Sequence, residues 1–244
     1  PRTWIGKDVP RVDITSKLAA EMLITAGGQH VILLDLHAQQ EVGFFDETKC
    51  GIDHLFSSPL VIAMFRSLGI TDRVFGPPDA GRNKVARRLK DELGGSLFIA
   101  DKDRSATVPD HLNDLTIVGD VKGKSVVVVD DEIGTGGTLR EASDALRKAG
   151  ASEIITVVSH AKFAAGALRK LVESSIDCFY IGDSIPLRSE VVEGLGGRLR
   201  QYSFAPYLAR TIESIHNGRS VSSLLNPEAV EDVYRGSYLT EAGP

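Results

Sequence analysis

Residues 126–138 read Val-Val-Val-Val-Asp-Asp-Glu-Ile-Gly-Thr-Gly-Gly-Thr. The four valines indicate a buried β-strand, because β-branched side chains pack well on a pleated sheet. Three acids follow the valines, and a short turn of glycine and threonine comes after them. A helix is predicted over Leu139–Ala149, with alanine and leucine on one face and Gly150 just past its end. The segment therefore predicts a strand, a tight turn and a helix in succession.

The turn in this segment has the composition of an anion site. Backbone N–H groups at a helix N-terminus attract negative charge, and glycine lets a phosphate approach the backbone closely. The neighbouring carboxylates would repel a phosphate but are suited to sugar hydroxyls or Mg²⁺. A sugar phosphate carries both groups, so we expect it to bind Asp130, Asp131, Gly134, Thr135, Gly136, Gly137 and Thr138. The alternative is an acidic strand end with a glycine turn that only begins a helix.

Apolar segments alternate with amphipathic segments along the chain. Strands are predicted at His30–Leu36, Arg73–Phe75, Leu97–Ala100, Ser125–Asp130, Ile154–Ser159 and Cys178–Ile181. Helices are predicted at Thr15–Ala26, Pro59–Leu68, Asn83–Leu93, Leu139–Ala149, Ala165–Glu173 and Tyr207–His216. This alternation predicts an α/β fold with parallel sheets flanked by helices. Ligands of such sheets bind beyond the carboxyl ends of the strands, so we expect the site there.

Composition disfavours several classes of protein. The chain has 244 residues, of which 42% are hydrophobic, and its 28 basic and 33 acidic residues give a net charge of −5. That balance argues against a surface for nucleic acid. No apolar run approaches the ~20 residues of a membrane span. Two cysteines, Cys50 and Cys178, are too few for a disulfide scaffold, so we expect a cytoplasmic protein.

Residues 130–138 resemble the phosphoribosyl pyrophosphate (PRPP) loop of the type I phosphoribosyltransferase fold. That fold hosts base transfer and PRPP synthesis. The segment Asp35–Asp46, which contains Asp-Leu-His-Ala and Gly-Phe-Phe-Asp, is similar to a segment of the ribose-phosphate pyrophosphokinases. The resemblance implies that His37 contacts the Mg²⁺ of MgATP. Taken alone, a histidine after a strand is more often structural.

A second loop extends the resemblance to this family. Pro77-Pro-Asp-Ala-Gly81 looks like the family's Pro-Asp-Ala-Gly-Gly loop, which holds the pyrophosphate side and the metal. The resemblance implies that Asp79 is the second metal contact and that Asp79, Ala80 and Gly81 form the pyrophosphate loop. The alternative is a turn with a capping aspartate. Arg82 stands where the family has a second glycine, so its side chain would crowd the pyrophosphate or bind it.

A third loop resembles the mobile catalytic loop of the family. Asp101-Lys-Asp-Arg104 matches its start, which reads Lys, any residue, Arg. The resemblance implies that Lys102 and Arg104 are catalytic, stabilising the transferring phosphates, and that Arg104 also contacts ribose 5-phosphate. Cations suit that task because phosphoryl transfer depends mostly on positioning and charge stabilisation. The alternative is a solvated run of charges.

The resemblance implies two phosphoribosyltransferase-type lobes, the first of them N-terminally incomplete. Residues 1–59 would be the remainder of the ATP-side lobe, with residues 202–225 packing back on it. Residues 60–201 would form the lobe for ribose 5-phosphate, and residues 226–244 a tail. The family has roughly another third of its chain before this point, including an Arg-Gln-Asp stretch that helps hold ATP. We expect a truncated sequence or strands supplied by another chain.

The implied function is that of a ribose-phosphate pyrophosphokinase in nucleotide biosynthesis. Such an enzyme transfers diphosphate from MgATP to ribose 5-phosphate and releases PRPP and AMP. The implied cofactor is Mg²⁺, the implied assembly is a homo-oligomer of dimers forming hexamers, and neither nucleic acid nor membrane is an expected partner. Gly134 departs from the family, which usually has an acid there. The alternatives are a catalytically weak associated subunit, a base phosphoribosyltransferase and a sugar-phosphate binder without activity.

Overall fold

A computed structural model of the chain describes residues 15–79, 83–102, 115–232 and 239–241. Its contacts divide the chain into two compact units, one ending at Ser57 and the other beginning at Ser58. The lobe boundaries given above, and the packing of residues 202–225 on the first lobe, stay predictions. In the part of the chain that is described, no helix is long and apolar enough to cross a membrane.

The described part of the first unit is a small α/β layer. Helix α1 (Thr15–Thr25) precedes strand β1 (His30–Leu34), and a 3-10 turn (Gln39–Phe44) leads to strand β2 (Gly51–Leu55). The two strands are parallel, in a register that pairs His30 with Gly51. The β1 side chains remain partly exposed, and a parallel pair is normally buried on both faces. Strand β1 therefore lacks the burial that is usual for a parallel pair.

The second unit contains the strands that position the site. In chain order they are β3 (Val74–Gly76), β4 (Ser96–Leu97), β5 (Ile99–Lys102), β6 (Leu115–Val118), β7 (Ser125–Ile133), β8 (Glu153–Ala161), β9 (Cys178–Gly182), β10 (Leu199–Tyr202) and β11 (Leu239–Glu241). The main sheet has the order β11-β10-β9-β8-β7-β3-β4. It is parallel except for β11, which runs antiparallel to β10. Strands β5 and β6 form a separate antiparallel pair.

Helices cover both faces of this sheet, as the alternating pattern predicts. They are α2 (Ser58–Ser67), α3 (Asn83–Leu93), α4 (Gly137–Lys148), α5 (Ala167–Val172), α6 (Ser189–Leu195) and α7 (Ala205–His216). On one face, apolar side chains of α4, α5 and α6 join those of the central strands in a single core. On the other, the ring of Phe65 in α2 meets the ring of Tyr180 in β9 edge-on, with centroids 5.4 Å apart. The α/β architecture is confirmed.

One predicted strand is divided in the structure. The sequence predicts a single strand over Leu97–Ala100, whereas the structure ends β4 at Leu97 and begins β5 at Ile99. Between them lies Phe98, whose ring is buried against Gly76. A Cβ on Gly76 would lie only 2.5 Å from the nearest carbon of this ring. Burying this ring turns the chain, so β5 leaves the main sheet and pairs with β6. The pairs β5–β6 and β10–β11 are antiparallel and add to the predicted parallel sheet.

Candidate functional site

The acids of the site lie inside β7. This strand continues to Ile133, three residues beyond the predicted end. Successive residues of a strand point to opposite faces, so Asp130 and Glu132 share one face and Asp131 takes the other. Asp131 is only 2% exposed, while Asp130 and Glu132 are partly exposed. The two carboxylates predicted to bind the sugar are thus on different faces, and Glu132 joins Asp130.

The turn after β7 is open to a ligand at the N-terminus of α4. Gly136 precedes the helix with φ 72°, and among the described residues no side chain caps this helix. The first N–H groups of an α-helix have no partner within the helix and need a cap, water or a ligand. Thr135 and Thr138 are both exposed beside them. The predicted phosphate-binding residues Thr135–Thr138 are therefore together at one surface.

The glycines of this turn differ in how much space surrounds them. A Cβ on Gly136 would lie 3.1 Å from Leu171 Cγ and 3.2 Å from the Ala167 carbonyl oxygen, so only glycine fits without a shift. Its left-handed backbone also favours glycine. A Cβ on Gly134 would meet only the Glu132 carboxylate, at 4.0 Å. Gly136 is required by packing, and Gly134 is not.

The loop after β8 holds the turn in place. The amides of Lys162 and Phe163 both donate to the Ile133 carbonyl, at 3.0 and 3.2 Å, and the Ala164 amide donates to the Gly134 carbonyl at 2.9 Å. Phe163 is buried and has φ 44°, a conformation that is costly for a residue other than glycine. These bonds fix the turn before any ligand arrives.

Charged and polar side chains at this edge are paired. Lys162 Nζ lies 2.5 Å from a Glu132 carboxylate oxygen, and Glu132 is in register with His160. The Ser184 hydroxyl donates to the Ser159 carbonyl, so in the 2.7 Å contact with His160 Nδ1 it must accept. Neither Glu132 nor Lys162 is among the site residues predicted from the sequence, although alternation along β7 could have indicated Glu132.

Asp79 lies at the same sheet edge as the acids of β7. It follows the buried Pro77 and Pro78 and is exposed. Strand β3 is the neighbour of β7 and ends with Gly76 in register with Val128, two residues before Asp130, so the chain leaves β3 next to the acids of β7. The other predicted residues of the pyrophosphate loop, Ala80 and Gly81, lie outside the described residues, as does Arg82.

The first unit holds the other predicted metal contact, His37, which is exposed after β1. Two residues earlier, Asp35 has φ 44° and is buried. Its carboxylate accepts a hydrogen bond of 2.8 Å from the Ser57 hydroxyl. The Leu36 amide donates to His54 Nε2 at 3.1 Å. The segment that presents His37 is thus fixed to the end of β2.

Of the predicted catalytic residues Lys102 and Arg104, the structure describes only the backbone of Lys102. Lys102 is the last residue of β5 and is in register with Leu115 of β6. Its side chain and the whole of Arg104 lie outside the described residues. In the described part of the chain, no group of three or more His, Cys, Asp or Glu side chains is arranged to hold a metal ion.

The sequence of the chain is similar to that of known proteins. Residues 96–226 match the family model described as the phosphoribosyl synthetase-associated domain. The ribose-phosphate pyrophosphokinase of Ralstonia nicotianae is 37% identical over 215 residues, which cover 88% of this chain and 66% of that protein. The enzyme of the same name from Wolinella succinogenes is 36% identical over 219 residues, covering 89% of this chain and 67% of that protein.

A solved structure has the same fold over most of this chain. The crystal structure of phosphoribosylpyrophosphate synthetase from Mycobacterium smegmatis superimposes with a TM-score of 0.73 and 32% identity, covering 85% of this chain and 65% of that one. The chain thus spans about two thirds of the length of the relatives it matches. The parallel sheet flanked by helices is the α/β fold of that synthetase. Within this class of α/β proteins, the chain belongs to the ribose-phosphate pyrophosphokinase family.

Proposed function

We propose that the protein acts as a ribose-phosphate pyrophosphokinase, with MgATP and ribose 5-phosphate as substrates and PRPP and AMP as products. The observation that carries the proposal is the uncapped N-terminus of α4, which follows the left-handed Gly136 directly after the acids of a central parallel strand. A phosphate and a ring with several hydroxyls suit that arrangement. Family membership gives the reaction in which such a ligand is used.

Each residue has a role in this proposal. The 5-phosphate binds the turn at Gly134–Thr138, and Asp130 accepts hydrogen bonds from the ribose hydroxyls. Asp131, predicted to share this role, lies on the opposite face of β7 and is only 2% exposed. Of these two carboxylates, Asp130 is the more accessible to a ligand. Lys102 and Arg104 stabilise the transferring group, and residues 79–81 hold the pyrophosphate side.

In the reaction, the anomeric hydroxyl of ribose 5-phosphate attacks the β-phosphorus of ATP. The bond between the β-phosphorus and the oxygen bridging it to the α-phosphate breaks. AMP leaves with that oxygen, and the proton of the attacking hydroxyl is released to solvent water. The role of the protein is to position the two substrates and stabilise the charge that develops between them.

Mg²⁺ is the proposed cofactor, and the carboxylate of Asp79 fits its preference for oxygen ligands. Asp79 offers an exposed carboxylate at the sheet edge and His37 an exposed imidazole. Mg²⁺ is usually held by one or two carboxylates together with substrate phosphates and water, so a dedicated protein cage is not needed. When bound, the ion neutralises charge on the phosphates of ATP. The proposal also includes a cytoplasmic location, a role in nucleotide biosynthesis and assembly into homo-oligomers.

AMP release is the test of the proposed function. The chain is incubated with ATP, Mg²⁺ and ribose 5-phosphate, and AMP and PRPP are measured by mass spectrometry. We expect both products in equal amounts, and none without ribose 5-phosphate or after chelation of Mg²⁺ by EDTA. Asp130→Asn should lower activity by an order of magnitude or more, about the effect of losing a charge-assisted hydrogen bond.

The matched control is Asp120→Asn, a change of the same chemistry at an exposed aspartate that pairs with Lys124 before β7 begins. This variant should keep full activity. Binding of ribose 5-phosphate with no AMP from folded protein would contradict the proposal and favour a subunit or binder without catalysis. Turnover of PRPP with a free base would instead identify a base phosphoribosyltransferase.

A further inference from the structure

Lys170 of helix α5 lies against the turn that begins α4. Its Nζ is 4.0 Å from the position that a Cβ on Gly137 would occupy, and Thr135 Oγ1 is 3.7 Å from the same point. An ammonium group and a hydroxyl therefore approach the first residue of α4 from different elements. Because Gly137 has no side chain, the space between these two groups is open.

The position of α5 is fixed by packing. Leu171 is fully buried and lies 3.1 Å from the place of a Cβ on Gly136. Lys170, its neighbour, is thereby held beside the turn at partial exposure. Local sequence patterns do not indicate a role for this lysine, because it lies 33 residues after Gly137 in a different element.

The cations near Lys170 have carboxylate partners. Arg140 lies 3.0 Å from Glu173, Arg169 lies 3.9 Å from Glu173, and Lys162 lies 2.5 Å from Glu132. Within the described residues, no carboxylate is within ion-pair distance of Lys170. Since a helix N-terminus carries partial positive charge, an ammonium group placed there is repelled unless an anion lies between them.

We propose that Lys170 is a specificity-determining residue that binds the phosphate of the substrate and selects a phosphorylated pentose over the free sugar. The inference rests on the proposed function, because it adds a cation to the same phosphate site. The ammonium group donates to a phosphate oxygen while the turn amides and the Thr135 hydroxyl bind the others. A dianion gains from each of these contacts, and an uncharged hydroxymethyl group gains little.

The test measures binding and turnover for three variants of the whole chain. Lys170→Gln removes the charge, Lys170→Arg restores it, and Arg169→Gln removes the adjacent charge, which is 83% exposed and points to Glu173. Dissociation constants for ribose 5-phosphate, inorganic phosphate and ribose are determined by calorimetry. Values of kcat and KM come from AMP release, and thermal unfolding checks that each variant is folded.

Lys170→Gln should weaken binding of ribose 5-phosphate and of inorganic phosphate by about 10- to 100-fold, the range for one charge-assisted hydrogen bond. We expect KM for ribose 5-phosphate to rise with kcat nearly unchanged, because the phosphate is remote from the reacting oxygen. Lys170→Arg should recover most of the affinity, and Arg169→Gln should retain it. Preference over ribose should fall by the same factor as affinity.

The outcomes separate this inference from the proposed function. Wild-type affinity in a folded Lys170→Gln variant, with AMP still formed, would overturn the role of Lys170 alone. Phosphate binding that depends on Lys170, in a protein that releases no AMP, would support the inference and contradict the proposed function. A wild-type chain that binds neither inorganic phosphate nor ribose 5-phosphate would overturn both.

Discussion

Gly136 is the residue on which the shape of the phosphate turn depends most. It has a left-handed backbone at φ 72°, and a Cβ on it would lie 3.1 Å from Leu171 Cγ and 3.2 Å from the Ala167 carbonyl oxygen, closer than ordinary van der Waals contact. The backbone therefore approaches α5 closely at this point. That approach also places Lys170 beside Gly137, so one glycine influences both sides of the site.

Gly136→Ala should destabilise the protein more than the same change at Gly166. A left-handed non-glycine residue costs about 1–2 kcal/mol, and overpacking typically adds about 1–3 kcal/mol. Gly166 has φ 79° with nothing within 4 Å of its Cβ position, so Gly166→Ala meets only the first cost. Urea denaturation measures both. Equal losses would show that the contact with α5 is unimportant.

The burial of Tyr180 can be tested by the pH dependence of protein stability. Burial raises the pKa of Tyr180 to about 12, against about 10 in an unfolded chain. A raised pKa means that the contribution of this group to stability is complete below about pH 10 and is lost as pH rises from about 10 to 12. Tyr180→Phe should therefore weaken the fall in the free energy of unfolding over that range. An unchanged slope in urea titrations would contradict this assignment.

At the scale of the element, the two ends of helix α4 have different roles, one at the candidate site and the other in stability. Its N-terminus faces the site, while Arg147 in its last turn binds three carbonyls and a carboxylate. The guanidinium donates to the carbonyls of Ala151, Ser152 and Ser175 at 2.9–3.0 Å and to Asp177 at 2.5 Å. These bonds join the helix to the loops before β8 and β9, at the sheet edge opposite the site.

Arg147→Lys should lower stability without affecting the site. Lysine keeps the charge but cannot reproduce a planar fork of donors on several acceptors, so a loss of about 1–3 kcal/mol in the free energy of unfolding is expected. KM for ribose 5-phosphate should stay within error of the wild type in the same preparation. A folded variant with unchanged stability, or with weakened substrate binding, would show that the two ends of α4 are not independent.

Strong local patterns were predictable from the sequence, and weak ones were not. The valines of β7 and the amphipathic face of α4 carry clear signals, and both elements are present. The end of β7 was missed because aspartate and glutamate have low strand propensity. Here pairing with β8 extends the strand through them, with Asp130 opposite Val158 and Glu132 opposite His160. Strand β10 was missed because Arg200 and Gln201 interrupt its apolar residues.

At the scale of the molecule, the sequence indicates which residue types form the site but not how they are combined. Asp79 follows β3, and β3 lies next to the acid-bearing strand β7 only because of the order β7-β3 in the sheet, which local patterns do not encode. The placement of Lys170 beside Gly137 likewise depends on how α5 packs on the turn. The opposite faces of Asp130 and Asp131 follow only once β7 is known to continue through them.

A crystal structure of the chain with ribose 5-phosphate tests the central claim most directly. The account predicts the phosphate within hydrogen-bond distance of the amides at Gly136–Thr138, with Lys170 on one of its oxygens and a ribose hydroxyl on Asp130. A phosphate bound elsewhere on the protein, or a turn left empty at saturating ligand, would contradict it.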